Sequence, residues 1–355
     1  MTNPHFYWFA PTNGDGEFLG LKEAERNPTA DYLVKVAQTA EDAGFEGILI
    51  PTGIPYLDSW MVGSAIIHRT KNIKPLVAFR PGFISPTVAS KLAATFDQFA
   101  HGRLLINVVT GGSAKELGQD GDFVDHQTRY ERTEEFLDVI KKSWHHHPFD
   151  HKGEFFNIEQ GTLMPSLYQQ DGIPIYFGGS SDIAKEIAAK SADVYLQWGE
   201  PVLKIQEQIE DVKKRATKYN RSLEFGIRIH VVVRETEEEA WEAAHHIISQ
   251  VDQSVQTKMT GVFSESDSVA QKRMTEITQQ GDRFDKYSWS GIGKIRKGAG
   301  TAIVGTPEQV QEALQDYIKV GVQHFILSGF PHIEEAERFG KLVLPKFNAV
   351  SIQQS

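Results

Sequence analysis

A chain of 355 residues with 40% hydrophobic content can bury a large core, and this length suits one large barrel or two ordinary domains. Its formal net charge of −10 argues against sequence-independent binding of nucleic acid or anionic membranes, because both draw on concentrated positive charge. The absence of cysteine removes disulfides, thiolate metal sites and a cysteine nucleophile, and it fits a reducing compartment.

In chain order, the N-terminal run Met1-Thr-Asn-Pro-His-Phe-Tyr-Trp-Phe9 lacks a basic segment followed by a long apolar one. No run elsewhere reaches the ~18 apolar residues of a membrane span, so a cytoplasmic protein is expected. Phe6–Phe9 predicts a short strand, Thr29–Ala43 a helix stopped by Gly44, and Phe45–Ile50 the next strand. Strands follow at Lys74–Phe79 and Leu104–Val109, separated by a helix opening after Ser85, where Pro86 suits the first turn. Thr128–Trp144 reads as a long amphipathic helix. Ile175–Phe177, Val194–Gln197, Glu224–Val233 and His324–Leu327 supply four more strands. Helices are expected near Ser181–Lys190, Pro201–Tyr219, Glu237–Ser249 and Pro307–Val320. Eight strands alternating with helices predict an α/β fold, a closed (β/α)8 TIM barrel spanning 1–355 as one domain, over an open sheet.

Two insertions disturb the alternation. Residues 149–164 contain Asp150-His-Lys-Gly-Glu154 between extended-looking flanks and predict a hairpin. Residues 250–297 are polar, include Ser264-Glu-Ser-Asp-Ser268 and predict a mobile lid. His145, His146 and His147 stand at a helix end before Pro148, where adjacent positions do not converge on one ion, so no metal site is expected.

In such a barrel the loops after the strands form the active site. Pro11-Thr-Asn-Gly-Asp-Gly16, Pro51-Thr-Gly53, Arg80-Pro-Gly82 and Thr110-Gly-Gly112 offer small residues and backbone donors. Phe177-Gly-Gly-Ser-Ser-Asp182 is more specific: Gly179, Ser180 and Ser181 combine flexible backbone, two hydroxyls and a helix start, which suits a phosphate or simply caps a helix. His126-Gln-Thr-Arg-Tyr-Glu131 gathers donors at another helix start, and Trp198 closes a strand as either core or pocket wall. Gly291-Ile-Gly-Lys-Ile-Arg-Lys-Gly-Ala-Gly-Thr301 reads as a basic loop or as a closing flap that carries Arg296.

The strand Phe225-Gly-Ile-Arg-Ile-His-Val-Val-Val-Arg-Glu-Thr236 puts Arg228 and His230 on one face at a period of two. A buried guanidinium is costly unless paired, so Arg228 is expected to face an anion, either a protein carboxylate or a ligand.

These segments together resemble the bacterial luciferase-like flavin monooxygenases, most closely the two-component FMNH2-dependent alkanesulfonate monooxygenases. The ordered match runs through Phe9-Ala-Pro-Thr12, Leu49-Ile-Pro-Thr-Gly53, Tyr176-Phe-Gly-Gly-Ser-Ser-Asp182, Leu196-Gln-Trp-Gly-Glu-Pro201, Phe225–Thr236, Gly298-Ala-Gly-Thr301 and Leu327-Ser-Gly-Phe-Pro-His-Ile-Glu-Glu335. The resemblance implies FMN, used as FMNH2 from a separate NAD(P)H-dependent FMN reductase, and O2 as co-substrate. It implies cleavage of the C–S bond of an organosulfonate to sulfite and an aldehyde. Carried over by position, it assigns Trp198, Arg228, His230 and Arg296 to the sulfonate and flavin side, with Arg228 as anion clamp and His230 as a further donor or proton carrier. It assigns Asn107, Thr110, His126, Tyr130, Gly179, Ser180 and Ser181 to the flavin and its phosphate. A homodimer or homotetramer is expected.

Three positions depart from the family's pattern: Asn13 replaces a histidine, Tyr56 stands near a cysteine position, and Phe330 replaces a tyrosine. Tyr56 is read as supplying the phenol lost at Phe330, or else as pointing outward. Oxidation of an uncharged sulfone, non-catalytic flavin binding and deazaflavin-dependent hydride transfer are the competing functions. The Arg228–His230 pair and Arg296 favour the sulfonate.

Overall fold

The computed structural model describes residues 3–255 and 268–347. Its strands are, in chain order, β1 (His5–Phe9), β2 (Gly47–Ile50), β3 (Lys74–Phe79), β4 (Leu105–Val108), β5 (Phe149–Lys152), β6 (Asn157–Gly161) and β7 (Ile175–Gly178). They continue with β8 (Val194–Trp198), β9 (Glu224–Val233), β10 (Arg283–Phe284), β11 (Ser288–Trp289), β12 (Ala302–Gly305) and β13 (His324–Ser328). Parallel pairing runs β1-β2-β3-β4-β7-β8-β9-β13 and returns to β1, closing an eight-stranded barrel.

The barrel strands are almost continuously apolar because both faces are covered, as parallel sheets require. Inward residues such as Tyr7, Leu49, Leu76, Leu105, Tyr176 and Ile326 fill the barrel. Outward residues such as Trp8, Ile48 and Val77 pack beneath the helices. Helix starts are fixed locally. Thr29 and Ser181 accept backbone hydrogen bonds as N-caps, and Thr236 and Thr306 form capping boxes with Glu239 and Gln309.

Several elements were not legible in the sequence. Ser59–Ile67 is helical although its run of Trp, Met, Val, Gly, Ser, Ala and Ile has no polar face to set a period. Ala114–Gln119 is a short helix beyond β4. β12, which the sequence left unassigned, pairs with His230–Val233 of β9, beyond the point where β8 ends at Trp198. The ten-residue β9 therefore serves one neighbour on its first half and another on its second.

The expected lid, residues 250–297, is described only in part. Residues 256–267, with most of Ser264–Ser268, lie outside the described residues. Of the remainder, Val269–Gln280 is a helix that buries Gln271 and Met274. Ser288 and Trp289 are buried and paired with β12, and Gly291–Lys294 forms a buried 3-10 turn. This part of the segment is built into the fold through Trp289, whose apolar bulk a reading by average polarity passes over. β5 and β6 form an antiparallel hairpin. Among the described residues no helix is long and apolar enough to cross a membrane.

Candidate active site

The C-terminal ends of the barrel strands surround a cleft of about 300 Å³. Alternation along each strand selects what faces it. Phe9 follows Tyr7, and Arg228 follows Gly226, so both side chains arrive at the same mouth.

The Arg228 guanidinium carbon lies 4.4 Å from the centroid of Phe9, and that of Arg296 lies 5.4 Å from the same centroid. Arg228 donates from Nη1 to the Ile229 carbonyl (3.1 Å) and from Nη2 to Ser328 Oγ (2.8 Å). Burial, with the nearby Arg296 charge, pushes its pKa well below the usual arginine value, while Tyr56 acts in the opposite direction. Arginine nonetheless stays protonated in proteins, so the cost is borne as unsatisfied charge. Its electrostatic neighbours are a second cation and a phenol rather than a carboxylate, so they offer the Arg228 charge no carboxylate counter-ion.

His230 stands behind this pair. Its Nε2 is 3.0 Å from the Ala299 carbonyl, which can only accept, so Nε2 carries the proton and donates. Nδ1, 2.7 Å from Ser328 Oγ, then accepts the Ser328 hydroxyl proton. Burial first, then Arg228 and Arg296, lower the His230 pKa well below that of a free imidazole, in agreement with a neutral ring. Both ring nitrogens are thus engaged, and the ring lies outside the cleft lining. His230, expected from the sequence as a further anion donor or proton carrier, is held by Ala299 and Ser328 directly behind the Arg228 guanidinium.

Tyr56 lines the cleft and packs against the apolar barrel interior. Phe330, by contrast, stacks on His230 at 5.3 Å between centroids and does not border the cleft. The two positions therefore do not share a cleft wall in this structure. Trp198 ends β8 opposite Arg228 in register and borders the cleft beside Gly298.

The other expected positions converge on the opposite part of the same cleft: Asn107, Thr110, His126 and Tyr130 with Gly179, Ser180 and Ser181. His126 and Tyr130 share a helix turn with ring centroids 4.8 Å apart. A Cβ at Gly179 would fall 2.7 Å from Ala184 Cβ and 3.0 Å from the Tyr130 hydroxyl, so only glycine keeps this cradle open. Ser181 caps the following helix by accepting from the Ala184 amide. Ser180 Oγ accepts from Arg273 at 2.9 Å.

Sequence reasoning missed several contributors. Gln197 lines the cleft with neither amide atom hydrogen-bonded, and Asn107 Oδ1 is likewise buried without a partner. Such atoms are costly unless a ligand satisfies them. Arg273, on the helix of the long insertion, pairs with the buried Glu200 at 2.8 Å as well as with Ser180. Glu116 accepts from the Ile54 amide and Arg80 and pairs with Lys297 at 3.5 Å, so it ties the Arg296 segment to the second and third loops. Burial raises the Glu116 pKa, but Arg80 and the other donors outweigh it and leave the pKa lowered. The buried amide in a strand was the available signal for Gln197. The period-two run His324, Ile326, Ser328 was the signal for Ser328.

The family described as Luciferase-like monooxygenase matches residues 5–324. Among solved structures, the chain is similar to a long-chain alkane monooxygenase, with a TM-score of 0.82 and 21% identity over 99% of this chain and 92% of the other. It is similar to riboflavin lyase with modified FMN and substrate riboflavin, with a TM-score of 0.80 and 20% identity over 99% and 92% of the two chains. EDTA monooxygenase from Chelativorans sp. BNC1 gives a TM-score of 0.80 and 17% identity over 98% and 94%. At these identities the structural likeness carries the fold, and the family match carries the kinship.

Proposed function

Because the chain belongs to the luciferase-like monooxygenase family, we propose that it uses FMNH2 and O2 to cleave the C–S bond of an organosulfonate, releasing sulfite and an aldehyde. The observation that carries the substrate class is the pair of guanidinium groups, Arg228 and Arg296, over one Phe9 ring at the cleft. An uncharged sulfone would leave both cations without a counter-charge, whereas a sulfonate matches the planar donor fork of arginine.

The residues present fit a flavin. Asn107 and Gln197 offer buried, unpartnered amide atoms to a ring edge that alternates donors and acceptors. Gly179, Ser180, Ser181 and Tyr130 frame an open cradle for a phosphate, with Thr110 and His126 alongside. Reduced flavin supplies the electrons that activate O2, and a separate NAD(P)H-dependent FMN reductase supplies the reduced flavin. Arg228 and Arg296 bind and orient the sulfonate headgroup, Trp198 walls the cleft, and Tyr56 provides a phenol on the cleft lining. His230 holds the support of Arg228 in place. The Arg296 segment, latched by Lys297 to Glu116, limits access of water to the mouth.

Incubation of the purified protein with FMN, a flavin reductase, NADH and a panel of sulfonates tests this reading through sulfite release. Sulfite from at least one sulfonate, with one O2 consumed per sulfite, is expected. Turnover of sulfones alone would favour the uncharged substrate class, and flavin binding without turnover of either would favour a non-catalytic flavin protein.

A further inference from the structure

Ser328 is fully buried at the end of β13, paired in register with His230 of β9. Its hydroxyl accepts from Arg228 Nη2 at 2.8 Å and donates to His230 Nδ1 at 2.7 Å. The ring passes the connection on, because its Nε2 donates to the carbonyl of Ala299, three residues beyond Arg296. The same stretch is held at its end: the His230 amide donates to the Thr301 carbonyl at 2.9 Å, and the Thr301 hydroxyl donates to the Gly199 carbonyl at 2.6 Å. A path of three hydrogen bonds therefore runs from Arg228 to the Ala299 carbonyl, on the backbone segment that carries Arg296.

We propose that Ser328 is a positioning residue for anion binding, which fixes the Arg228 fork and couples it through His230 to the backbone that carries Arg296. The inference rests on the reading of Arg228 as an anion clamp. The chemistry narrows the choice of side chain. The position requires a small group that accepts from a cation and donates to an imidazole at once, which a hydroxyl does and a methyl or carboxylate does not. Beyond the Phe9 ring, the guanidinium has one other hydrogen-bond partner among the described residues, the Ile229 carbonyl, which holds only Nη1. Without Ser328 the Nη2 end of the fork loses its anchor, and binding then bears the entropy of fixing it. His230 Nδ1 would also be left buried without a donor.

The test is calorimetric titration of methanesulfonate, and separately of sulfite, into FMN-supplemented wild type, Ser328→Ala, Ser328→Thr and Arg228→Ala. Nitrogen NMR of 15N-histidine-labelled protein is recorded in parallel. Ser328→Ala is expected to raise the Kd for both anions about tenfold. Ser328→Thr, which keeps the hydroxyl, is expected to stay within about threefold of wild type. His230 Nδ1 should report as unprotonated and hydrogen-bonded in wild type, and its resonance should move in Ser328→Ala. If Ser328→Ala does not fold, Ser328→Cys keeps the volume while weakening both bonds and carries the same expectation. Wild-type affinity in Ser328→Ala together with lost affinity in Arg228→Ala would overturn the positioning role and leave the anion reading standing. Anion binding unchanged in Arg228→Ala would overturn both.

Discussion

Arg228 and Arg296 both approach the ring of Phe9, with guanidinium carbons 4.4 and 5.4 Å from its centroid. They come from different places, one from the interior face of β9 and one from the segment after the 3-10 turn. Like charges gathered on one ring are tolerable where the ring quadrupole attracts both and an anion completes the site.

Phe9→Leu should therefore weaken anion binding without loss of the barrel. A cation–π contact is worth about 0.5–2 kcal/mol, so a rise in Kd of a few fold for methanesulfonate is expected by calorimetry. Equal affinity for wild type and Phe9→Leu would show that the ring is only packing. Arg296→Ala should raise O2 consumption per sulfite formed if its segment, which borders the cleft, excludes water from it; a wild-type ratio would exclude that role.

Tyr56→Phe should lower kcat/KM for the sulfonate by about tenfold, since a hydrogen bond to a charged group is worth about 1.5–3 kcal/mol. Adding Phe330→Tyr should not restore it, because residue 330 stacks on His230 outside the cleft. Recovery in the double variant would contradict that placement.

The buried His230 makes a signed prediction for stability. Its folded pKa lies well below its unfolded value of about 6.5. Above that unfolded value the ring is neutral in both states and contributes no pH dependence. As pH falls through about 6.5 the unfolded ring takes up a proton and the folded one does not, so wild type should lose stability there relative to His230→Gln. Denaturant titrations at pH 8, 7, 6 and 5 should show this difference opening only below about 6.5. A constant difference would mean that the His230 pKa is the same in the folded and unfolded protein.

Arg273→Met should raise the Kd for FMN while leaving that for riboflavin unchanged, because Arg273 holds Ser180 at the edge of the glycine cradle and riboflavin lacks the phosphate. Pairing it with Glu200→Gln avoids leaving a buried carboxylate alone. A parallel loss for both flavins, read by fluorescence quenching, would assign Arg273 to structure alone.

Much of this was legible in the sequence because alternating β-branched runs and amphipathic helices encode the barrel directly. Glu224–Val233, with Arg228 and His230 in phase, announced a cation on the inner face before any neighbour was known. What the sequence withheld depends on partners remote in the chain. The direction of the His230 hydrogen bonds follows from Ala299 and Ser328, 69 and 98 residues away. The burial of Trp289 follows from β12, a four-residue strand too short to announce itself by period. Phe330 looked like a pocket wall because its motif lies at a strand end, yet the chain turns its ring back onto β9.

Sulfite release by Arg228→Ala, under conditions where wild type turns over, tests whether Arg228 clamps the sulfonate. Truncating one partner of a buried charge pair costs ~2–5 kcal/mol, so kcat/KM should fall by at least about thirtyfold while FMN still binds and the barrel stays folded. Wild-type sulfite release by a folded, FMN-binding Arg228→Ala protein would contradict the account.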